Sequence, residues 1–142
     1  MLFVYYCTMY SFETKVRVRY GETDQMGFVY YGVYAQYYEV GRVELLRSLN
    51  ISYKELEEMG FALPVVNWNI NYKKPAYYDD LITIKTTIKD FPSTRITFYY
   101  ELFNERKELL NKGEVSLVFI DIKTGKPCVA PNMVLDRLRD KL

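Results

Sequence analysis

A change of period constrains this chain more than any other feature. One stretch repeats its apolar residues every three or four positions, and later stretches alternate every second position. Over residues 32–50, Tyr34, Tyr38, Gly41, Leu45 and Leu49 fall on one face of a helix. Val40 and Val43 lie on its far side, which suits a helix enclosed by a sheet or by a second subunit. Asn50 marks the exit, and Ser52 with Glu55 caps a short second helix running to about Met59-Gly60. Ahead of the long helix, over residues 13–20, Lys15, Arg17 and Arg19 alternate with Val16, Val18 and Tyr20, a strand with one solvated face.

The remainder reads as β. Val66, Trp68, Ile70 and Tyr72 alternate with Asn67, Asn69, Asn71 and Lys73. Ile82, Ile84, Thr86 and Ile88 alternate with Thr83, Lys85 and Thr87, and Ile96, Phe98, Tyr100 and Leu102 with Arg95, Thr97, Tyr99 and Glu101. Residues 115–122 are more uniformly apolar, as expected of a central strand covered on both faces. Turn chemistry separates the runs at Tyr78-Asp79-Asp80, Asp90-Phe91-Pro92-Ser93, Asn111-Lys112-Gly113 and Thr124-Gly125-Lys126-Pro127. A short amphipathic segment over residues 134–138 closes the chain. This order predicts an α+β architecture, one long helix wrapped by a five-stranded antiparallel sheet. Such a sheet leaves edges, and small proteins often pair edges across a two-fold.

The 142 residues suffice for one domain with a real core, assigned to residues 13–138 with 1–12 as a lead. The segment from Met1 to Thr8 is apolar, lacks a basic flank and is too short to span a bilayer; Met9 would serve equally as a start. A formal net charge of +1 gives no electrostatic case for nucleic acid or an anionic membrane as partner. Cys7 and Cys128 have neither metal-ligand spacing nor the look of a disulfide framework, which points to a reducing cytoplasm. Tyrosine is the anomaly. Fifteen Tyr beside 8 Phe suit large half-polar surfaces such as pockets and subunit contacts. Histidine is absent, which removes the commonest general base and most triad and metal schemes. No metal or cofactor is expected.

Proton chemistry then falls to a carboxylate. Asp24 stands in a glycine-bearing aromatic stretch, residues 20–34, between the first strand and the long helix. An acid beside a helix start can activate water while free backbone N–H groups bind a developing oxyanion. A solvated aspartate, with a pKa of ~3.9, is a weak base, and burial among Met26, Phe28 and neighbouring aromatics is expected to strengthen it. The same residue could instead cap a turn or the helix. Glu22 is expected to be solvated. Glu39, Arg42 and Glu44 are expected to form a charge set on the helix surface or at an interface. Lys73, Lys74 and Arg95 serve solubility first and a phosphate-bearing ligand second.

Taken together, Arg19-Tyr20-Gly21-Glu22-Thr23-Asp24-Gln25-Met26-Gly27-Phe28-Val29-Tyr30-Tyr31-Gly32-Val33-Tyr34, then Tyr38-Glu39 and the Arg42/Glu44 pair, then Tyr72-Lys73-Lys74-Pro75-Ala76-Tyr77-Tyr78-Asp79-Asp80, resemble the hotdog-fold acyl-CoA thioesterases of the 4-hydroxybenzoyl-CoA thioesterase type. The resemblance runs over about residues 13–138. It implies that Asp24 is the catalytic carboxylate, as general base or nucleophile, and that the backbone N–H of Tyr31 polarises the thioester carbonyl. The implied substrate is an acyl-CoA, an acyl-ACP or an aromatic, naphthoyl-type CoA thioester. Tyr30, Gly32 and Tyr34, at the helix start, are the candidate substrate contacts, while the Tyr30, Tyr34 and Tyr38 series suits core and interface first. The resemblance further implies a homodimer with a continuous sheet and a site at the subunit boundary, often doubled to a tetramer. Two positions depart from the pattern. Tyr31 stands where many relatives have histidine, and Val33 where Asn is common. Hydratases on this fold depend on a histidine, which this chain lacks; a non-catalytic acyl-CoA-binding module is the remaining rival.

Overall fold

Alternation along the chain becomes a sheet with one dry face. The computed structural model describes residues 8–142, so the first seven residues of the lead, Cys7 among them, lie outside it. Strand β1 (Tyr10–Arg17) is followed by helices α1 (Tyr34–Ser48) and α2 (Tyr53–Glu58), then by β2 (Phe61–Ala62), β3 (Val65–Tyr72), β4 (Leu81–Ile88), β5 (Arg95–Phe103) and β6 (Leu109–Val118). Short strands β7 (Ile120–Asp121) and β8 (Lys126–Pro127) and helix α3 (Asn132–Arg139) complete the chain. The main sheet is antiparallel with order β1-β4-β5-β6-β3. A long helix laid on one face of such a sheet is the hotdog arrangement.

The inward positions are those the period implied. Ile82, Ile84, Thr86, Ile88, Ile96, Phe98, Tyr100 and Leu102 are all buried. From the helix, Tyr34, Tyr38, Gly41, Leu45 and Leu49 are buried against them. Burying a side chain such as Leu45 or Ile84 stabilises the fold by about 1.5–3 kcal/mol. Tyr38 stacks on Tyr100 at 4.0 Å between ring centroids and on Trp68 at 5.5 Å, tying α1 to β5 and β3. Its hydroxyl donates to Asn111 Oδ1 at 2.7 Å. On the outer face, Glu13, Lys85, Glu101 and Lys112 stand opposite one another across four strands, charge against countercharge. Each such pair contributes about 0.2–1 kcal/mol.

Several expectations shift. β1 begins at Tyr10 and stops at Arg17, because Tyr20–Glu22 coil into a 3-10 turn. Asn111-Lys112-Gly113 is not a turn but the middle of β6, and the reversal lies at Asn104–Lys107 instead, where Lys107 has a positive φ of 61°. Gly113 is there for close approach: a Cβ would stand 2.3 Å from the Asn69 carbonyl oxygen and 2.9 Å from the Tyr38 hydroxyl. β6 buries Val115 and Leu117 but leaves Ser116 and Val118 partly open, so its outer face is not covered as a fully central strand requires. The apolar run continues not as β6 but as β7, which joins β2 and β8 in a small second sheet. Ser52 does cap α2, its Oγ accepting from the Glu55 N–H.

Candidate active site

The loop after β1 folds back on itself and holds Asp24 by its own backbone. The Asp24 N–H donates to the Phe28 carbonyl at 3.0 Å, and the Asp24 carbonyl accepts from the Gly27 N–H at 2.9 Å. Gly27 has a φ of +86°, a conformation only glycine adopts without strain. One carboxylate oxygen, Oδ1, accepts from the Met26 N–H at 2.9 Å. The other has no hydrogen-bond partner among the described residues. Met26 itself is 70% exposed, so within one chain it does not close over the acid.

The far limb of the loop runs into the helix. The Val29 N–H donates to the Ala76 carbonyl at 2.8 Å and the Tyr30 N–H to the Glu22 carbonyl at 3.0 Å. Tyr31–Val33 form one 3-10 turn that leads directly into α1. The first N–H groups of any helix lack a partner within it. Here no side chain caps the turn, and among the described residues the Tyr31 N–H has no hydrogen-bond partner. From β3, the Tyr72 hydroxyl donates to the Tyr31 carbonyl at 3.3 Å, with its ring edge-on to Tyr34 at 5.6 Å.

Asp24 and Tyr31 open on one cavity of about 320 Å³. Phe28, Tyr34, Tyr72 and Pro75 give it a mainly apolar wall. Burial pushes the Tyr34 hydroxyl up to about 12, so it stays a neutral part of that wall. Lys73 and Lys74 also reach the cavity. Lys74 is tied to Glu108, whose carboxyl is held down at about 2 by Lys74, Asn104 and Arg106. Lys73 has no anionic partner among the described residues, and Arg95 does not line the cavity. Of the other anticipated site residues, Tyr34 lines the cavity while Tyr30 and Gly32 do not. The Tyr30 ring turns outward against Tyr31, 4.6 Å between centroids, and is 47% exposed. A hollow of about 400 Å³ on the outer sheet face, among Lys89, Glu101 and Lys112, is a polar saddle with no comparable pairing of acid and free amide. No three Cys, Asp or Glu side chains among the described residues gather closely enough to hold a metal ion.

Residues 18–138 match the model of the Thioesterase-like superfamily. The chain belongs to that family. It is 37% identical over 119 residues to the putative acyl-CoA thioesterase YneP of Bacillus subtilis, covering 84% of this chain and 86% of the relative. It is 34% identical over 124 residues to the acyl-CoA thioester hydrolase YbgC of Escherichia coli O6:H1, covering 87% and 92%. Among solved structures, a DHNA-CoA thioesterase from Staphylococcus aureus superposes with a TM-score of 0.81 at 37% identity, over 84% of this chain and 80% of that one.

Two charged residues also differ from expectation. Glu22 is not solvated but only 9% exposed. Burial pushes its carboxyl up, yet hydrogen bonds from the Arg19 N–H, the Tyr37 hydroxyl and the Arg19 guanidinium outweigh that and hold it below its ordinary value. Arg42 is not a surface charge either. It is also 9% exposed, beside Tyr53 and Tyr100, and among the described residues neither its Nε nor the Tyr100 hydroxyl has a hydrogen-bond partner of good geometry. Glu44 pairs with Arg47 instead. Tyr72 is the residue that pattern reading missed at the site. It ends an alternating run, and nothing in its spacing says that it meets the start of α1.

Proposed function

We propose that this protein hydrolyses acyl-CoA thioesters, with Asp24 as general base and the Tyr31 N–H as oxyanion donor. The observation that carries the reading is one apolar cavity bordered by a half-free carboxylate and an unpartnered helix-start amide. Fixing Oδ1 on the Met26 N–H leaves the second oxygen to take a proton from water. The water oxygen adds to the thioester carbon, and negative charge moves onto the carbonyl oxygen. A backbone N–H at a helix start stabilises that charge by about 3 kcal/mol, the cost of losing one oxyanion-hole donor. The tetrahedral intermediate then collapses, the C–S bond breaks, and the proton held by Asp24 passes to the departing thiolate. The apolar wall suits the acyl group. Lys73, which has no anionic partner among the described residues, suits the phosphates of the thiol carrier.

The same reading includes a second copy of the chain. β3 is an outer strand, and Val65 and Val66 on it are 46% and 47% exposed. Pairing that edge with its counterpart would continue the sheet across a two-fold and bring further side chains over Met26 and Asp24. Names of relatives point to CoA thioesters, and the aromatic wall admits both aliphatic and aromatic acyl groups.

The test is release of free thiol from a panel of aliphatic and aromatic acyl-CoAs. Asp24→Asn is expected to lower kcat by at least about 10²-fold, the contribution of a positioned general base. Equal rates in wild type and Asp24→Asn overturn the catalytic assignment, and tight binding without turnover selects the acyl-CoA-binding module. A single turnover in ¹⁸O-water separates general base from nucleophile, since only a nucleophilic Asp24 transfers its own oxygen to the first product.

A further inference from the structure

Glu22 and Tyr37 lie outside the Asp24 cavity. They face a separate hollow of about 240 Å³, shared with Arg17, Arg19 and Gln36. Neither touches the space where a thioester would sit, yet Glu22 makes more of the local connections than any other residue of the loop. Its carboxylate accepts from the Arg19 N–H at 2.8 Å, from the Arg19 guanidinium at 3.2 Å and from the Tyr37 hydroxyl at 2.9 Å. Its carbonyl accepts from the Tyr30 N–H at 3.0 Å.

The chain positions of those partners matter more than their number. Glu22 is joined through Thr23 to Asp24, and Tyr30 is the residue directly before Tyr31. Tyr37 belongs to α1, which starts immediately after the turn carrying the Tyr31 N–H. One buried side chain therefore ties the limb bearing the acid to the helix bearing the amide, while its own backbone clasps the residue before that amide. We propose that Glu22, through Tyr37, is the positioning residue that sets the separation between Asp24 and the Tyr31 N–H. The inference rests on the thioester-hydrolase reading of the cavity. Its physical basis is that a displacement of about 1 Å between reacting groups costs up to 10²-fold in rate, whereas looser contacts to the rest of the substrate tolerate it. A buried carboxylate suits the task better than a neutral acceptor, because charge-assisted hydrogen bonds are shorter and roughly twice as strong.

Two variants test this, both assayed as full-length protein with the acyl-CoA that wild type turns over best. Tyr37→Phe removes one hydroxyl and nothing else; Glu22→Gln keeps the shape and removes the charge. With the fraction folded at the assay temperature checked by circular dichroism, kcat is expected to fall about tenfold in Tyr37→Phe and further in Glu22→Gln, with KM within twofold of wild type. That split identifies positioning, since loss of folded protein is seen in the dichroism and loss of substrate contacts raises KM. If Glu22→Gln fails to fold, Tyr37→Phe alone decides. Unchanged kcat in folded Tyr37→Phe, or a rise in KM that accounts for the whole loss, overturns the inference while an inactive Asp24→Asn leaves the reading of the cavity standing. Equal activity in wild type and Asp24→Asn overturns both.

Discussion

The Tyr31 N–H can be removed without removing the turn that carries it. Proline is tolerated at the first position of a helix, where the N–H has no internal partner. It requires the preceding residue to be extended, and Tyr30 already is, at φ −62° and ψ 136°. Tyr31→Pro should therefore fold and lose one donor. Tyr31→Ala loses the ring and keeps the donor, so it isolates the amide. We expect kcat for Tyr31→Pro to fall about 10²–10³-fold below Tyr31→Ala, with similar melting temperatures for the two. Matching rates would remove the amide from the reaction. The role proposed is a main-chain one, so it makes no demand on the side chain at Tyr31.

At the scale of elements, the close seat of α1 on the sheet rests on Gly41. A Cβ there would lie 2.4 Å from Thr86 Oγ1, 2.8 Å from Ile84 Cγ2 and 3.2 Å from the Tyr100 ring. Alanine improves helix propensity by about 1 kcal/mol, but overpacking a dense core costs about 1–3 kcal/mol. β-Branched neighbours on two sides cannot swing away, so the second effect wins. Gly41→Ala should lower the melting temperature by several degrees, roughly 5 °C, in a thermal scan; an unchanged or raised value would mean that α1 sits higher than described. The helix face holding Gly41, and the inward residues of β4 and β5, were readable because a single periodicity governs each for its whole length. β2, β7 and β8 were not, since two residues cannot display an alternation. Asn111-Lys112-Gly113 misled for a different reason. Its glycine serves the packing of Tyr38 and Asn69, and local composition cannot distinguish that from a reversal. The site divides in the same way. Asp24 and Tyr31 were singled out through a motif contiguous in the chain, and both line one cavity. Tyr72 and Arg42 take their places from elements far away in sequence, and Glu22 owes its burial to Tyr37 on the helix as well as to Arg19 beside it.

At the scale of the whole molecule, the proposed dimer makes a prediction that needs no assumption about substrate. Sedimentation should give a dimer, and paired Val65→Lys and Val66→Lys substitutions, which place like charges along the β3 edge, should shift it toward monomer and lower activity in parallel. A monomeric but fully active variant would confine the site to one chain. Among the described residues no helix is long and apolar enough to cross a membrane. The alternating charges across the outer sheet face keep that surface wettable whether or not the edge is paired. Tyr72 brings a further consequence. It is the last residue of the open strand, and it is also the residue that grips the Tyr31 carbonyl. Whatever zips onto that hem also steadies the electrophile's seat, so turnover per molecule should sink as the solution is diluted and recover on reconcentration, a dependence that an enzyme complete in one chain would not have.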